Sequence, residues 1–336
     1  MKPRIDWPRT IPFTLLHLVP FLAIMTGVRW FDVGLCVALY FGRMFFVTVG
    51  YHRYFAHRGF RLNRVMQFLL AFAAETSLQK GVLWWSGLHR HHHRYSDKPE
   101  DLHSPIGGFL WSHMGWVFAK GNFKTRPELI PDFTSYPELR FLNRFYLLPP
   151  VTLAVAVALL WGWPALITGF FLSTVLLFHG TYVINSLAHV IGRRRFATSD
   201  TSRNSLLLAL ITMGEGWHNN HHYYCASARQ GFYWWEIDLS FYLLTVLNFF
   251  GLVSDLREPP AAVLTKNRIA DGSFDLGLLQ AKRERAMVAL EKLKRRASHA
   301  ARRRRLRLEA FLASTQHLVV PGFLPRGGVK NRFANT

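Results

Sequence analysis

Cysteine and acidic side chains are both scarce in this 336-residue sequence. The two cysteines are Cys36, in an apolar run, and Cys225, beside a histidine cluster, so the sequence offers neither a disulfide framework nor a CxxC zinc site. Asp and Glu number 20 against 41 Lys and Arg, which leaves a net charge of +21. Such an excess favours a negatively charged partner: nucleic acid, anionic lipid or a phosphorylated substrate.

Long apolar runs decide among these partners. Hydrophobic residues make up 50% of the chain and are concentrated in four runs, which predict membrane spans at about 11–29, 31–51, 147–163 and 165–185. The links within each pair are short, so the spans form two helical hairpins. A second run follows the first almost at once without a small-residue cleavage site, which favours a retained span over a signal peptide. The expected partners are the lipid bilayer and a lipid or phosphorylated substrate, with no nucleic acid.

The distribution of charge predicts the orientation. Four spans place both termini on one side, where the N-terminal cations, Arg53 and the basic C-terminal region also lie. The positive-inside rule makes that side cytoplasmic. The predicted fold is therefore an all-α integral membrane protein with a cytoplasmic helical cap over residues 52–146 and 186–257. Residues 65–78 and 239–253 are too broken by polar groups to span and are expected to lie in the interface.

The C-terminal region differs in composition from the rest. Residues 1–257 are expected to form the membrane domain and residues 258–336 a basic, partly helical tail. Within the tail, residues 275–310 are predicted to be helical, with apolar residues at heptad-like spacing. The run Arg302 to Arg305 suits anionic lipid head groups. A solvated charged tail is the alternative.

Histidines form three spaced clusters among the 16 in the chain. The first contains His52 and His57; the second contains His89, His92 and His93; the third contains His218, His221 and His222. In the second and third clusters the spacing i, i+3, i+4 puts all three imidazoles on one helix face, so each set is expected to converge on one point. His91 points elsewhere and is expected to be a non-ligand. His52 and His57 are about 140° apart on an α-helix, so they share a metal only if the helix ends between them.

These clusters predict two metal ions, because eight imidazoles exceed the needs of one. His189 is expected to be a ninth ligand, and Asn185, four residues earlier on the same helix face, is expected to orient a metal-bound water. Imidazole suits iron, zinc, copper and nickel, so the ligands alone do not name the metal. His179 is expected to be structural, and His17 to lack a partner.

Two E-x-x-H pairs, Glu100 with His103 and Glu215 with His218, match a rival, carboxylate-bridged di-iron site. That site belongs inside a soluble helix bundle, whereas these pairs lie beside prolines and glycines and would leave most clustered histidines without a role. Glu215, Asp97, Glu100 and Asp101 are instead expected to accept the second ring N–H of ligand histidines.

The three clusters, together with Asn185-Ser-Leu-Ala-His189 and Gly214-Glu-Gly-Trp-His218, resemble the histidine boxes of the membrane fatty acid desaturases, in particular the acyl-CoA or acyl-lipid delta-9 branch. The resemblance covers residues 30 to 257. It implies four spans, two iron ions held by nine histidines and a kinked tunnel for the acyl chain. It also implies O2 as oxidant and a separate electron donor such as a ferredoxin or cytochrome b5.

Several residues outside the clusters are expected to contact such a substrate. Trp85, one helical turn before His89, is expected to line the tunnel or to belong to an interfacial aromatic belt. Lys80, Lys120, Lys124 and Arg126 are expected either to meet the phosphates of a CoA carrier or to face the membrane surface. Arg43 lies inside a predicted span, where a charge is costly, so it is expected to face the bundle and to be paired.

Three functions fit the pattern. The first is desaturation of a saturated fatty acyl chain by O2. The second is a membrane hydroxylase acting on a lipid or alkane, which shares the metal site and differs in its product. The third is a metal carrier, whose ligands belong at mid-membrane depth on broken helices, whereas these lie at or beyond the ends of the spans.

Overall fold

Helices provide all the regular structure in the part of the chain that the computed structural model describes, residues 5–270 and 276–315. The N-terminal helices are α1 (Trp7–Leu18), a 3₁₀ turn (Val19–Leu22), α2 (Ala23–Thr26), α3 (Trp30–Phe46) and a π-helix (Val47–Ala56). Gly27 turns the chain between α2 and α3 with a φ of 73°, a value that suits glycine. Asp32 then caps α3 by accepting from the backbone N–H and the guanidinium of Arg29.

The middle of the chain supplies short helices and then the longest apolar segment. The short helices are α4 (Arg64–Glu75), α5 (Val82–Tyr95), α6 (Phe109–His113), α7 (Pro131–Thr134) and α8 (Pro137–Arg144), with 3₁₀ turns at Pro105–Gly107, Gly115–Phe118 and Pro127–Leu129. The apolar segment comprises α9 (Leu148–Pro164), a second π-helix (Ala165–Leu172), α10 (Ser173–Ser186) and a 3₁₀ turn (Leu187–His189).

Three helical segments are long and apolar enough to cross a membrane: Trp7–Thr26, Trp30–Ala56 and Leu148–His189. Their outward side chains are apolar and exposed, with Ile24 88% and Leu159 82% accessible, as expected of surfaces that face lipid. The third segment has 42 residues, and its backbone leaves helical values at Gly162 (φ 82°, ψ −172°). This break lies where the sequence predicts the turn of the second hairpin.

The remaining helices are short, apart from the last. They are α11 (Leu206–Ile211), α12 (His218–Tyr223), α13 (Leu239–Phe249), α14 (Ala261–Thr265) and α15 (Leu276–Thr315). Helices α4 and α13 fall within the two segments predicted to lie in the interface, and neither is long enough to count as a span. The chain separates into two compact units, 1–284 and 285–336. Helix α15 covers the segment predicted to be a basic helix, except for Asp275, which lies outside the described residues.

Arg43 is buried in the bundle and is paired there through hydrogen bonds. The guanidinium donates to the hydroxyls of Ser173 (2.5 Å) and Thr174 (2.7 Å) on α10, and to the backbone carbonyl of Thr76 (3.4 Å). The partners that the structure gives Arg43 are therefore hydroxyl and carbonyl oxygens rather than a carboxylate. Arg43 thus joins α3 to α10 and to the end of α4.

Candidate metal centre

The π-helix places His52 and His57 side by side. The backbone N–H of His57 donates to the carbonyl of His52 (3.2 Å), an i to i+5 hydrogen bond that belongs to π geometry. The wider turn brings residues five apart onto one face, and the two ring centroids are 4.9 Å apart. The prediction that the helix ends between them is confirmed, because the π-helix ends at Ala56 and His57 is its C-cap residue.

Five imidazoles form the first candidate metal site, termed centre one: His52, His57, His89, His93 and His221. Their Nε2 atoms meet in a chain of short contacts. Nε2 of His221 lies 2.9 Å from Nε2 of both His52 and His93, and Nε2 of His89 lies 2.9 Å from that of His57 and 3.0 Å from that of His93.

Four imidazoles form the second candidate site, termed centre two: His92, His189, His218 and His222. Nε2 of His218 lies 3.2 Å from Nε2 of His189. The nine histidines predicted as ligands are therefore brought together, as two sets. The role of these histidines as metal ligands stays a prediction.

The prediction that each HxxHH cluster converges on one point was wrong. His89 and His93, four apart on α5, stay together in centre one, while His92 faces centre two. On α12, His218 and His222 stay together in centre two, while His221 faces centre one. Consecutive histidines are about 100° apart on a helix, so each His-His pair spreads over both centres.

Carboxylates hold the outer ring nitrogens of these histidines. Nδ1 of His92 donates to Asp101 (2.9 Å), Nδ1 of His222 donates to Asp200 (2.7 Å), and Nδ1 of His52 contacts Glu215. Such contacts fix the ring orientation and leave Nε2 to bind a metal. They also occupy Glu215, which argues against the rival carboxylate-bridged site.

Asp97 lies near a histidine of centre two, whereas Glu100 is exposed. Nδ1 of His189 lies 3.2 Å from the hydroxyl of Thr201, which donates to Asp97 (2.6 Å). Glu100 is exposed, and the contact that the structure gives it is from His91 to its backbone carbonyl (3.0 Å). The expectation that the Glu100 carboxylate supports a ligand was therefore wrong, whereas His91 lies outside both centres, as predicted.

The nitrogen atoms at both centres suit a metal cation. Burial lowers the pKa of His57, His89, His93, His218 and His221 well below the ordinary value, so these rings are neutral. Nε2 of His222 is buried without a hydrogen-bond partner among the described residues. Neutral rings whose Nε2 atoms lie about 3 Å apart match adjacent ligands about 2.1 Å from a shared ion. The donor set therefore fits two metal ions.

Comparison with known proteins identifies the family. The family model for fatty acid desaturases matches residues 29–247, which include all nine histidines. The chain belongs to the fatty acid desaturase family. It is therefore a fatty acyl desaturase, an oxidoreductase, as the sequence predicts.

Individual relatives cover most of this desaturase. An sn-1 stearoyl-lipid 9-desaturase of Synechocystis is 36% identical over 271 residues, which is 78% of this chain and 84% of that protein. A palmitoyl-monogalactosyldiacylglycerol delta-7 desaturase of Arabidopsis thaliana is 35% identical over 259 residues, 76% of this chain and 69% of that protein. An acyl-CoA C20 Delta5-desaturase of Anemone leveillei is 35% identical over 252 residues, 73% of this chain and 79% of that protein.

An apolar cavity of about 420 Å³ leads to the desaturase centres. Its wall is formed by α1, the turn before α5, α5 itself and α10, and it ends against His89, His103 and Asn185. Trp85 lies in this wall, stacked between Tyr51 (5.2 Å between ring centroids) and His89 (5.1 Å). Asn185, predicted to orient a metal-bound water, also lines this cavity.

Of the four cations predicted to contact the substrate, Lys80 lines this cavity and the other three do not. Lys120 and Lys124 are exposed, Arg126 is half-buried, and all three lie outside the residues that line this cavity. The cations in the wall are Arg9 and Lys80. Burial lowers the pKa of Lys80 to about 7, and its ammonium donates to the carbonyl of Phe123 (2.8 Å).

Sequence reasoning missed the roles of three residues at the site. Gln79 bridges two cavity residues: its amide donates to the hydroxyl of Thr181 (2.8 Å), and its carbonyl accepts from the indole of Trp85 (3.2 Å). His103 is buried against His92, with 4.3 Å between ring centroids, and burial lowers its pKa to about 3. Asp200, the third, has no recognisable sequence spacing from His222, the histidine it supports.

His17 and His179, which were expected to be isolated and structural respectively, are in ring contact with each other. Nδ1 of His179 lies 3.0 Å from Nε2 of His113, and the His17 ring lies 5.4 Å from that of His179. His179 belongs to neither centre, as predicted. His17 also lies outside both centres, and its contact with His179 is between the two rings.

Proposed function

We propose that this desaturase uses O2 and two iron ions, held by the nine histidines, to introduce a double bond into a saturated fatty acyl chain. The observation that carries the proposal is the apolar cavity that ends against His89 and Asn185, beside both centres. Such a cavity can bind the acyl chain and hold one pair of methylenes next to the metal ions.

The choice of iron rests on the reaction. Imidazoles alone also suit zinc, but zinc has no redox chemistry, and removal of hydrogen from an unactivated methylene needs an oxidant. When bound, the two irons supply that oxidising power. One saturated pair of methylenes, O2, two electrons and two protons give one alkene and two waters. A separate electron donor, a ferredoxin or cytochrome b5, provides the electrons.

The cavity residues orient the substrate. Trp85 is hydrogen-bonded to Gln79, which is hydrogen-bonded in turn to Thr181 on α10, so the three form a bridge of linked side chains in the cavity wall. A chain that runs along the wall must bend around this bridge, which sets the carbon presented to the centres. The apolar wall also excludes water from the reacting methylenes.

We propose that the third apolar segment crosses the membrane twice. At 1.5 Å per residue its 42 residues would extend about 63 Å, roughly twice the hydrocarbon thickness. The break at Gly162 is placed to reverse the chain. Four spans and the positive charges near both ends of the chain then favour cytoplasmic termini and a cytoplasmic active site.

We propose insertion at delta-9, on either a lipid-bound chain or an acyl-CoA. Three relatives, each 34% to 36% identical, bear the name 9-desaturase and act on a lipid-bound chain by name, whereas others are named for CoA substrates or for delta-5 or delta-7. The position of the double bond and the acyl carrier therefore differ among relatives of similar identity, and each needs its own measurement.

Expression of the wild type and His221→Ala in a bacterial host tests the proposal. Total fatty acids are analysed by mass spectrometry with localisation of the double bonds, and purified protein is analysed for iron. A new delta-9 monounsaturated species that disappears in His221→Ala supports the proposal. His91→Ala is the matched control, since His91 lies on the same helix as three ligands but outside both centres.

Other outcomes correct particular parts. A hydroxylated product would replace desaturation by hydroxylation, and a double bond at another position would overturn delta-9 alone. Supplying either acyl-CoA or a phospholipid in vitro, with a reduced ferredoxin, identifies the carrier. Iron-loaded protein that converts neither substrate would contradict the proposal.

A further inference from the structure

Helix α15 carries a strong positive charge outside the region matched by the family. Between Lys282 and Glu309 it has 12 Lys and Arg but only three Glu. Two of these acids pair within the helix, Glu291 with Lys294 (3.5 Å) and Glu309 with Arg305 (2.7 Å), through exposed contacts that change the net charge little. The family match ends at residue 247, so the proposed desaturase chemistry gives this charge no role.

The same helix has a narrow apolar stripe. At 100° per residue, Leu290, Leu293, Ala297, Leu308 and Phe311 fall within an arc of about 60°. Their larger side chains are exposed, with Leu293 60% and Phe311 62% accessible. Arg304 is the charged residue at the centre of this arc. The helix is thus amphipathic, with a small apolar side and a large cationic side.

We infer that α15 lies on the surface of a membrane that contains anionic lipids, with the stripe in the acyl boundary and the cations among the head groups. Charge complementarity supports this occupant, because each Lys or Arg close to an anionic leaflet strengthens binding roughly fivefold. The apolar helices of the same chain also keep α15 tethered close to a bilayer, which raises its effective concentration there.

Two other partners, a nucleic acid and a second copy of α15, would fit the cations or the apolar stripe of the helix less well. A nucleic acid would engage the cations and leave the apolar stripe exposed to water. A second copy of α15 would bring two strongly cationic helices together along a stripe that contains an arginine, so like charges would oppose the pairing. An anionic membrane is the partner that uses both the stripe and the cations.

Amide hydrogen exchange of the full-length protein in lipid nanodiscs tests the inference. Exchange over residues 286–312 is compared in phosphatidylcholine alone and with about 30% phosphatidylglycerol. We expect at least a roughly tenfold slowing with phosphatidylglycerol, lost in about 0.5 M NaCl because salt screens the charges. Equal exchange in the two lipids would overturn the inference.

Two variants and a control separate the stripe from the charge. Replacing Arg302 to Arg305 by Gln, and separately replacing Leu290, Leu293 and Phe311 by Ser, should each abolish the slowing. The matched control replaces Leu306, which is exposed and lies about 160° around the helix from Leu290, by Ser, and should retain the slowing.

Two results would assign another partner. Slowing that survives loss of the stripe but not of the arginines would show a purely electrostatic contact and overturn the lipid-surface geometry. Equal slowing by a single-stranded oligonucleotide in phosphatidylcholine nanodiscs would assign nucleic acid instead. Desaturase activity enters none of these measurements, so the inference fails or stands independently of the proposed reaction.

Discussion

The imidazoles of His93 and His222 stack, with ring centroids 4.5 Å apart and planes 25° from parallel, although they belong to different centres. His93 comes from α5 and His222 from α12. The stack is the closest ring contact between the two sets on these helices, and it joins the two centres into one structure. Loss of either ring is therefore expected to disturb both centres.

Replacing His93 tests whether the histidines of the two centres bind iron while a neighbouring histidine outside them does not. We expect His93→Ala to lower desaturation more than about 100-fold, beyond the range typical of an outer partner, and to reduce bound iron from two ions per chain. Elemental analysis and product quantification measure both effects. His91→Ala is the control and should remain close to wild type, since His91 contacts the Glu100 carbonyl instead. Equal loss in both variants would contradict the assignment.

Asp200 should matter through His222. Asp200→Asn removes the negative charge of the carboxylate that accepts a hydrogen bond from Nδ1 of His222 (2.7 Å). The size of the side chain is kept. We expect iron affinity or activity to fall about 10- to 100-fold, as for other outer partners of metal-bound histidines. Asp255→Asn is the control, because Asp255 is exposed and pairs with Arg61. An unchanged iron affinity and activity in Asp200→Asn would show that Asp200 does not orient the ring.

The Gln79 bridge should control the position of the double bond. Gln79→Ala frees Trp85 and Thr181, so the acyl chain should bind in more than one register and give a mixture of positional isomers. Gas chromatography with double-bond localisation measures the mixture. Gln67→Ala is the matched control: Gln67 is also buried, but it accepts from Tyr54 (2.9 Å) away from the cavity. A single isomer from Gln79→Ala would show that the bridge does not set the register.

The sequence predicts the parts of this site that depend on spacing along the chain better than the parts that depend on tertiary packing. Clustering along the chain identified the nine histidines of the two centres, and six of them fall in two sets at i, i+3 and i+4 on one helix side. Spacing did not divide them between two centres, since that division depends on where α5 and α12 meet. His52 and His57 needed a π-helix, for which their sequence gives no signal. Asp200 and Gln79 are placed by loops whose paths depend on tertiary packing.

Glu75 should make stability depend on pH. Its carboxyl is buried and accepts from the backbone N–H of Val82 (2.9 Å), and burial raises its pKa from 4.5 to about 8. Because the pKa of Glu75 is higher in the folded protein than in the unfolded one, its protonated carboxyl contributes to the free energy of unfolding. That contribution is fully present below pH 4.5 and is lost as the pH rises through about 8.

Glu75→Gln keeps an oxygen for Val82 and cannot ionise. Relative to this variant, the wild type should lose on the order of 4 kcal/mol of unfolding free energy between pH 5 and pH 9. Unfolding of both proteins in the same detergent measures the difference, and other titrating groups cancel. A difference that does not change with pH would refute the raised pKa.

Arg43 should stabilise the bundle. Arg43→Leu removes the hydrogen bonds to Ser173 and Thr174, and we expect a loss of about 2 kcal/mol in unfolding free energy, measured in detergent. Arg140→Leu is the control, because Arg140 is exposed and donates to the Thr134 carbonyl. Stability equal to wild type in Arg43→Leu would show that these contacts do not hold α3 against α10.

We expect the division of each His-His pair between two centres to couple the uptake of the two proposed ions. On α5 the rings of His92 and His93 share one backbone, so a rotation that fits one ring to its ion also fixes the other ring. The first ion to bind therefore orders ligands of the second and removes part of its entropic cost. Metal uptake is consequently expected to be cooperative, with few chains holding a single ion at intermediate metal concentrations.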